Sequence, residues 1–324
     1  MPTDATLRRA DLVLGDLESN GGLLQPEQAN RFIDFIQEQP TIVAQSRLVR
    51  MNSPQRLIDR MGFDKRILQA ANNSGSTPPA EGLQDDSTND RYLLRERRSK
   101  VTTTQIKLET SEMIGEVRIP YEVLEDNLER GGMESHIMRQ MAERFAIDLE
   151  EFALLADTAY TDALNPADED FYGLQDGWLK RMNVNLVNHN AVVAPEMFVN
   201  GMLAMPQKYL RNLSLLKHFV TIQDAIRYRN VVSQRATGYG DSMLTTSAPI
   251  YAAGVQVETA PLMPQTFGFF TFPQNLLFGI QRQITVETGK DIRSREIIIV
   301  VTCRVALQID DVDATVKYTN VLAS

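Results

Sequence analysis

With 324 residues, 43% of them hydrophobic, the chain is long enough to bury a substantial core and to divide into two subdomains. Its formal net charge of -9 argues against a protein that grips nucleic acid by its phosphates, which requires a basic face. A protein that encloses nucleic acid without adhering to it, and an ordinary acidic soluble protein, both fit. The single cysteine, Cys303, can form no internal disulfide and indicates a reducing compartment, where it reads as a small core residue rather than a nucleophile. Met1–Asp4 lacks the basic start of a secretory signal, and the most apolar run, Ile297–Val301, is far too short to cross a bilayer. A soluble intracellular product is expected.

In chain order, Leu12, Leu14 and Leu17 precede a break at Ser19–Gly22, and Pro26 opens a helical pattern through Phe32, Ile33, Phe35 and Ile36 that Pro40 stops. Such short pieces form no core alone, so they read either as an arm that needs other surfaces or as a flexible leader. From Ala70 to Lys100 the composition turns to loop residues. An acidic patch (Glu81, Asp85, Asp86, Asp90) is followed by a basic one (Arg91, Arg95, Arg97, Arg98, Lys100). A loop this long is either disordered or finds its structure on a neighbouring molecule, and the separated charges suit pairing between copies.

Thr102 to Ile119 reads as strand, with a change of phase near Ser111–Gly115 that suggests a bulge or break. Pro120 begins a short helix, and Gly131-Gly132 separates it from a long one over Met133–Asp157. There Met138, Met141, Phe145, Leu149, Phe152 and Ala156 form one apolar stripe. Arg139, Glu143, Glu150 and Glu151 fall mostly off it, toward water. The rod spans roughly 35 Å.

An acidic, alanine-rich loop then leads to Tyr172–Trp178. Ala194 to Ile280 reads as an α/β unit: helix from Pro195 to Leu210, strand at Phe219, Val220 and Ile222, helix from Ala225 to Val232, a mobile loop around Gly238 and Gly240, and strand from Ile250 to Val257, with a turn at Pro261–Pro264. The remainder is strand. Ile297, Ile299, Val301, Cys303, Val305, Leu307 and Ile309 share one face; Asp310-Asp311 turns the chain and Val312, Ala314, Val316 and Tyr318 alternate back, as in a hairpin covering the long helix.

No catalytic constellation emerges. His136, His189 and His218 lack ligand spacing, and Gly238-Tyr239-Gly240 lacks the setting of a dinucleotide fingerprint. Asp168–Asp170 and Asp310, Asp311 and Asp313 lack the pattern of a calcium loop and read as solvated turns. Glu150 and Glu151 diverge by about 100° on a helix and are no acid-base pair. No catalytic residue, metal or cofactor is expected, and the chain reads as one that builds or binds.

Taken in order, these segments resemble the major capsid protein of tailed bacteriophages. The resemblance is carried by Val117–Asp126, by the long helix ending in Glu150–Leu155, by Tyr172-Gly173-Leu174, and by Val286–Val305 with Arg293, Arg295 and Arg304. It implies an α+β, Hong Kong 97-like capsid fold with an N-terminal arm (1–60), an extended β loop (61–104), a peripheral domain (105–185) carrying the spine helix (133–157), an axial α/β domain (186–282) and closing strands of the peripheral domain (283–324). It further implies hexamers and pentamers of this chain closed into an icosahedral shell in the virion, assembled in host cytoplasm around double-stranded DNA, with no sequence-specific contact and no membrane. The charged loop residues from Glu81 to Lys100 named above are then candidate inter-subunit contacts.

Some members weld neighbours by a lysine-asparagine bond from the extended loop; Asn72–Ser99 holds no lysine, so no such cross-link is expected. The arm is too short for a built-in scaffold, which implies a separate scaffolding protein; the resemblance adds a portal as partner and leaves open whether a decoration protein is present. Two rivals stand: an encapsulin-type compartment sharing the fold, and an acidic hydrolase with an unrecognised site.

Overall fold

A computed structural model describes residues 42–64, 66–68, 99–121, 133–234 and 249–322, with backbone alone for 133–139 and 282–286. The first elements are helix α1 (Ile42–Gln45), strands β1 (Arg47–Met51), β2 (Gln55–Phe63), β3 (Val101–Glu109) and β4 (Ser111–Pro120), and the long helix α2 (Met133–Leu155). Next come α3 (Pro166–Tyr172), α4 (Trp178–Arg181), β5 (Asn185–Val192), α5 (Pro195–Ala204), β6 (Lys217–Val220) and α6 (Ile222–Ser233). The chain finishes with β7 (Ile250–Ala252), β8 (Val255–Thr259), β9 (Gly268–Thr271), β10 (Leu276–Asp291), β11 (Glu296–Ile309) and β12 (Val316–Leu322). The patterns at Leu12–Pro40, most of the charged loop, the helix after Pro120 and the Gly238 loop lie outside the described residues.

The strands form a four-stranded sheet ordered β1-β10-β11-β4, a six-stranded sheet ordered β5-β12-β9-β6-β8-β7, and a two-stranded sheet of β2 and β3. Two compact units result, one of Leu57–Lys107 and one of the remainder.

In the larger unit, β11 buries every alternate residue from Ile297 to Ile309, as its period-2 pattern requires. These side chains share a core with Leu149, Phe152, Ala153 and Leu154 of α2 and with Trp178 and Leu179 of α4. Cys303 is in that core, and burial pushes its thiol up to about 12. Helix α2 stops at Leu155, two residues before the expected end, where Gly177 closes against it: its N–H donates to Ala156 O at 2.7 Å. A Cβ on Gly177 would fall 2.9 Å from both Ala153 O and Ala156 N, so only glycine permits this approach.

On α2 the expected stripe holds at Leu149, Phe152 and Ala156, while Met141 and Phe145 are half-buried and Met138 lies outside the described side chains. Glu150 departs from the expectation. It is buried, because α1 covers that side of the helix. The acidic loop before Tyr172 instead contains α3, started by Pro166 with Asp168 and Glu169 in its first turn, where carboxylates complement the helix dipole. The bulge or break expected near Ser111–Gly115 is a break at Thr110, which divides the segment into β3 and β4, and β4 then keeps an unbroken register along β11.

The hairpin expected between β11 and the last strand does not form. Asn275 grips the chain at the turn: Asp310 N donates to Asn275 O and Asp311 N to Asn275 Oδ1, both at 2.8 Å. A 3-10 turn over Val312–Ala314 then redirects β12 into the six-stranded sheet, between β5 and β9. Alternation specifies a buried face but not which sheet supplies it. β11 itself pairs with β10 on one side and β4 on the other.

The six-stranded sheet is mixed, with β5–β12 and β6–β8 parallel and β12–β9, β9–β6 and β8–β7 antiparallel. Phe219 and Phe269 stack at 4.7 Å and face the core shared with α2. On the opposite face, Val220, Phe270, Val316 and Tyr318 pack with Met197, Phe198, Ala225 and Tyr228 of α5 and α6. The expected strand at Ile250–Val257 is a hairpin turned by Ala253 (φ 47°) and Gly254 (φ 86°). Helix α5 ends at Ala204 because Met205 precedes proline and is extended. Ile222 opens a helix rather than extending a strand, since Thr221 Oγ1 accepts from Asp224 N at 3.1 Å as its cap.

In the smaller unit, Asp64 N donates to Lys100 O at 3.2 Å and Lys100 N to Asp64 Oδ1 at 2.8 Å, which closes the described base of the loop. Leu57, Met61, Phe63, Ile67, Leu68 and Val101 are all exposed. A two-stranded sheet without a covered face is marginally stable alone.

Candidate functional site

Of the charged loop residues singled out as contacts, Lys100 alone falls among the described residues, exposed at the loop base; Glu81, Asp85, Asp86, Asp90, Arg91, Arg95, Arg97 and Arg98 lie outside them. Among the described residues, no group of three or more His, Cys, Asp or Glu is placed to hold a metal, and no helix is long and apolar enough to cross a membrane. Asp311 of the acidic turn instead receives the Tyr209 hydroxyl. His189 Nε2 lies 3.0 Å from Val192 O, and the side chain of His136 is outside the described residues.

The third histidine is a core residue. His218 is fully buried, stacks on Phe270 at 4.3 Å and meets the Tyr318 hydroxyl at Nδ1 over 3.0 Å. Its Nε2 has no hydrogen-bond partner among the described residues, and burial lowers its pKa to about 3. Because the folded pKa lies below the ordinary value, His218 weakens the fold as pH falls from about 6.5 toward 3, and not above.

Two buried polar junctions hold the larger unit together. Gln175 bridges the β3–β4 break to β11: its Nε2 donates to Glu109 O (2.6 Å), Ser111 Oγ (2.9 Å) and Val305 O (3.2 Å), and its Oε1 accepts from Leu307 N (3.1 Å). Replacing Gln175 by leucine leaves buried backbone groups without partners and is expected to cost about 2–3 kcal/mol by urea denaturation. An unchanged midpoint would refute the bridging role.

The second junction surrounds α1. Glu150 Oε1 accepts from Ile42 N at 3.1 Å, and burial raises the Glu150 pKa against the opposing pull of that bond. At the other end Gln45 Nε2 donates to Glu258 Oε1 (2.7 Å), Lys217 Nζ donates to Gln45 Oε1 (2.9 Å), and Lys217 pairs with Glu258 (2.6 Å). Sequence patterns miss this junction, since Ile42 and Glu150 stand 108 residues apart and helical period assigns Glu150 to water.

The faces left to solvent carry apolar residues. Val199 and Leu203 project from α5, Ile222 and Ile226 from α6, and Ile114 and Val117 from the edge strand β4. Arg304 spans the β11–β4 pair to Glu112 at 2.8 Å, and Arg295 takes a left-handed φ of 57° in the β10–β11 turn. This is a molecule of surfaces and internal ties.

No protein-family profile matches the chain. Among solved structures, the fold is similar to the satellite phage P4 procapsid (TM-score 0.61, 11% identity, 90% of this chain and 99% of that one). It is similar to the capsid of the native GTA particle (0.58, 13%, 87% and 90%) and to a virus-like particle from Pyrococcus furiosus (0.52, 8%, 90% and 98%). The α+β architecture is therefore the Hong Kong 97-like fold of phage-type capsid proteins. In sequence, the chain is 30% identical, over 99% of both lengths, to YqbE of Bacillus subtilis (strain 168), described as a prophage capsid protein. The chain belongs to that family of phage capsid proteins, whose place is the virion.

Proposed function

We propose that this chain is the major structural subunit of an icosahedral shell, assembled from hexamers and pentamers of itself around double-stranded DNA. The observation that carries this reading is the unit Leu57–Lys107, whose described strands expose Leu57, Met61, Phe63 and Val101 and cover no core of their own. Apolar area of that kind is stabilised by burial on another molecule, and in a shell that molecule is a sister subunit. The acidic net charge of -9 suits an inner wall against which DNA slides.

In this reading the residues before about Arg60 form the arm and Met61–Thr104 the extended loop. The four-stranded sheet with α2 is the peripheral domain, and the six-stranded sheet with α5 and α6 is the axial domain. Because β12 pairs with β5 and β9, this reading assigns Val316–Leu322 to the axial domain rather than to the closing strands. A separate scaffolding protein and a portal are the partners this reading implies, and the subunit itself is structural rather than enzymatic. Kinship with a prophage capsid protein supports a phage shell over a cargo compartment.

Co-expression with the neighbouring genes, followed by electron microscopy, is expected to yield closed shells. Phe63→Asp is expected to abolish them while the purified subunit keeps its melting temperature. A subunit that stays monomeric at high concentration with its scaffold present, or a Phe63→Asp variant that assembles normally, would overturn the reading.

A further inference from the structure

We propose that α1 is a latch that adds a polar coupling between the long helix α2 and the six-stranded sheet, beyond the core they share, and that stiffens their joint only while both of its ends are fastened. A helix of four residues cannot hold itself together, since it closes barely one turn. Its order must come from its ends, and both ends are tied to different parts of the fold.

At the first end the Ile42 N–H, otherwise an unsatisfied helix-start donor, is taken by Glu150 from the buried side of α2. The Ile42 side chain is buried in the core that α2 and β11 share. At the far end Gln45 inserts its amide between Lys217 of β6 and Glu258 of β8, whose strands are parallel neighbours in register, Lys217 opposite Gln256. Gln274 Nε2 adds a bond to Gln45 O at 3.2 Å, and Ser46 closes the turn with Oγ to Val43 O at 2.7 Å.

The two ties differ in kind. The Glu150 tie rests a buried carboxyl on the Ile42 N–H, so it holds only while Ile42 stays seated. The Gln45 tie lies at a half-buried ion pair, where water competes. Such a joint is firm when both ties are made, and losing one weakens the other. The inference concerns the single subunit and stands apart from shell assembly.

Hydrogen exchange of the full-length, unassembled subunit tests it. Glu150→Ala is expected to speed exchange roughly tenfold or more at residues 42–46 and also in Lys217–Val220 and Val255–Thr259, whereas Glu150→Gln, which can still accept from Ile42 N, stays within about twofold of wild type. Should Glu150→Ala fail to fold, Gln45→Ala at the half-buried end provides the converse reading, faster exchange at the Ile42 amide. Acceleration confined to residues 42–46, a Glu150→Gln variant as fast as Glu150→Ala, or an Ile42 amide indifferent to Gln45→Ala would each overturn the latch.

Discussion

Gly201→Ala is expected to destabilise the subunit by about 2–3 kcal/mol, against the direction that helix propensity alone dictates. Alanine in the middle of α5 should gain roughly 1 kcal/mol over glycine. Its Cβ, however, would stand 2.0 Å from Tyr318 Oη and 2.5 Å from Cε1 and Cζ. Tyr318 has nowhere to retreat: it is fully buried, and its hydroxyl meets His218, which is stacked on Phe270. Overpacking of this kind typically costs 1–3 kcal/mol, occasionally more. Thermal denaturation should show a fall of several degrees, and adding Tyr318→Leu should recover part of it by opening the space. A Gly201→Ala protein that melts at or above the wild-type temperature would show that the contact is not the one described.

Phe152→Ala is expected to cost about 3–5 kcal/mol, the largest loss foreseen for a single truncation here. The ring is completely buried on α2, tilted against Phe171 at 5.4 Å, in the core that contains Trp178. Trp178 is the chain's single tryptophan and is fully buried, so its emission reports unfolding without a label. The variant should lose its blue-shifted emission at a lower denaturant concentration than wild type. Ile147→Ala, on the exposed side of the same helix, should change stability by no more than about 0.5 kcal/mol. Equal losses from the two substitutions would contradict the assigned faces of α2.

The elements legible in the sequence were those with a long period. Seven alternating residues from Ile297 to Ile309 state a half-buried strand almost unaided, and Leu149, Phe152 and Ala156 locate the inner face of α2. What the pattern did not carry was partnership. The same alternation at Val316 and Tyr318 suited either sheet, and the choice fell to Asn275, a polar residue without any periodic mark. Glu150 was misplaced for a related reason: a charged residue reads as solvent-facing unless its partner is known, and the partner is a backbone N–H distant in sequence. Short helices such as α3 and α4 span two turns or fewer and offer too few residues for a period. Of the charged loop residues only Lys100 lies among the described residues, whereas the exposed apolar faces of α5, α6 and β4 bear no mark in the sequence and belong to the fold.

The position of β12 has a consequence for how the protein is made. Val316 pairs with Asn185, so β5 leaves the ribosome well over a hundred residues before the strand that covers its inner edge. At usual translation rates that interval lasts roughly ten seconds, during which the nascent sheet presents open backbone to its surroundings. Growing chains in a crowded polysome face one another in that state. An edge left open for that interval is one on which nascent copies can pair with each other, and the arrival of β12 closes it.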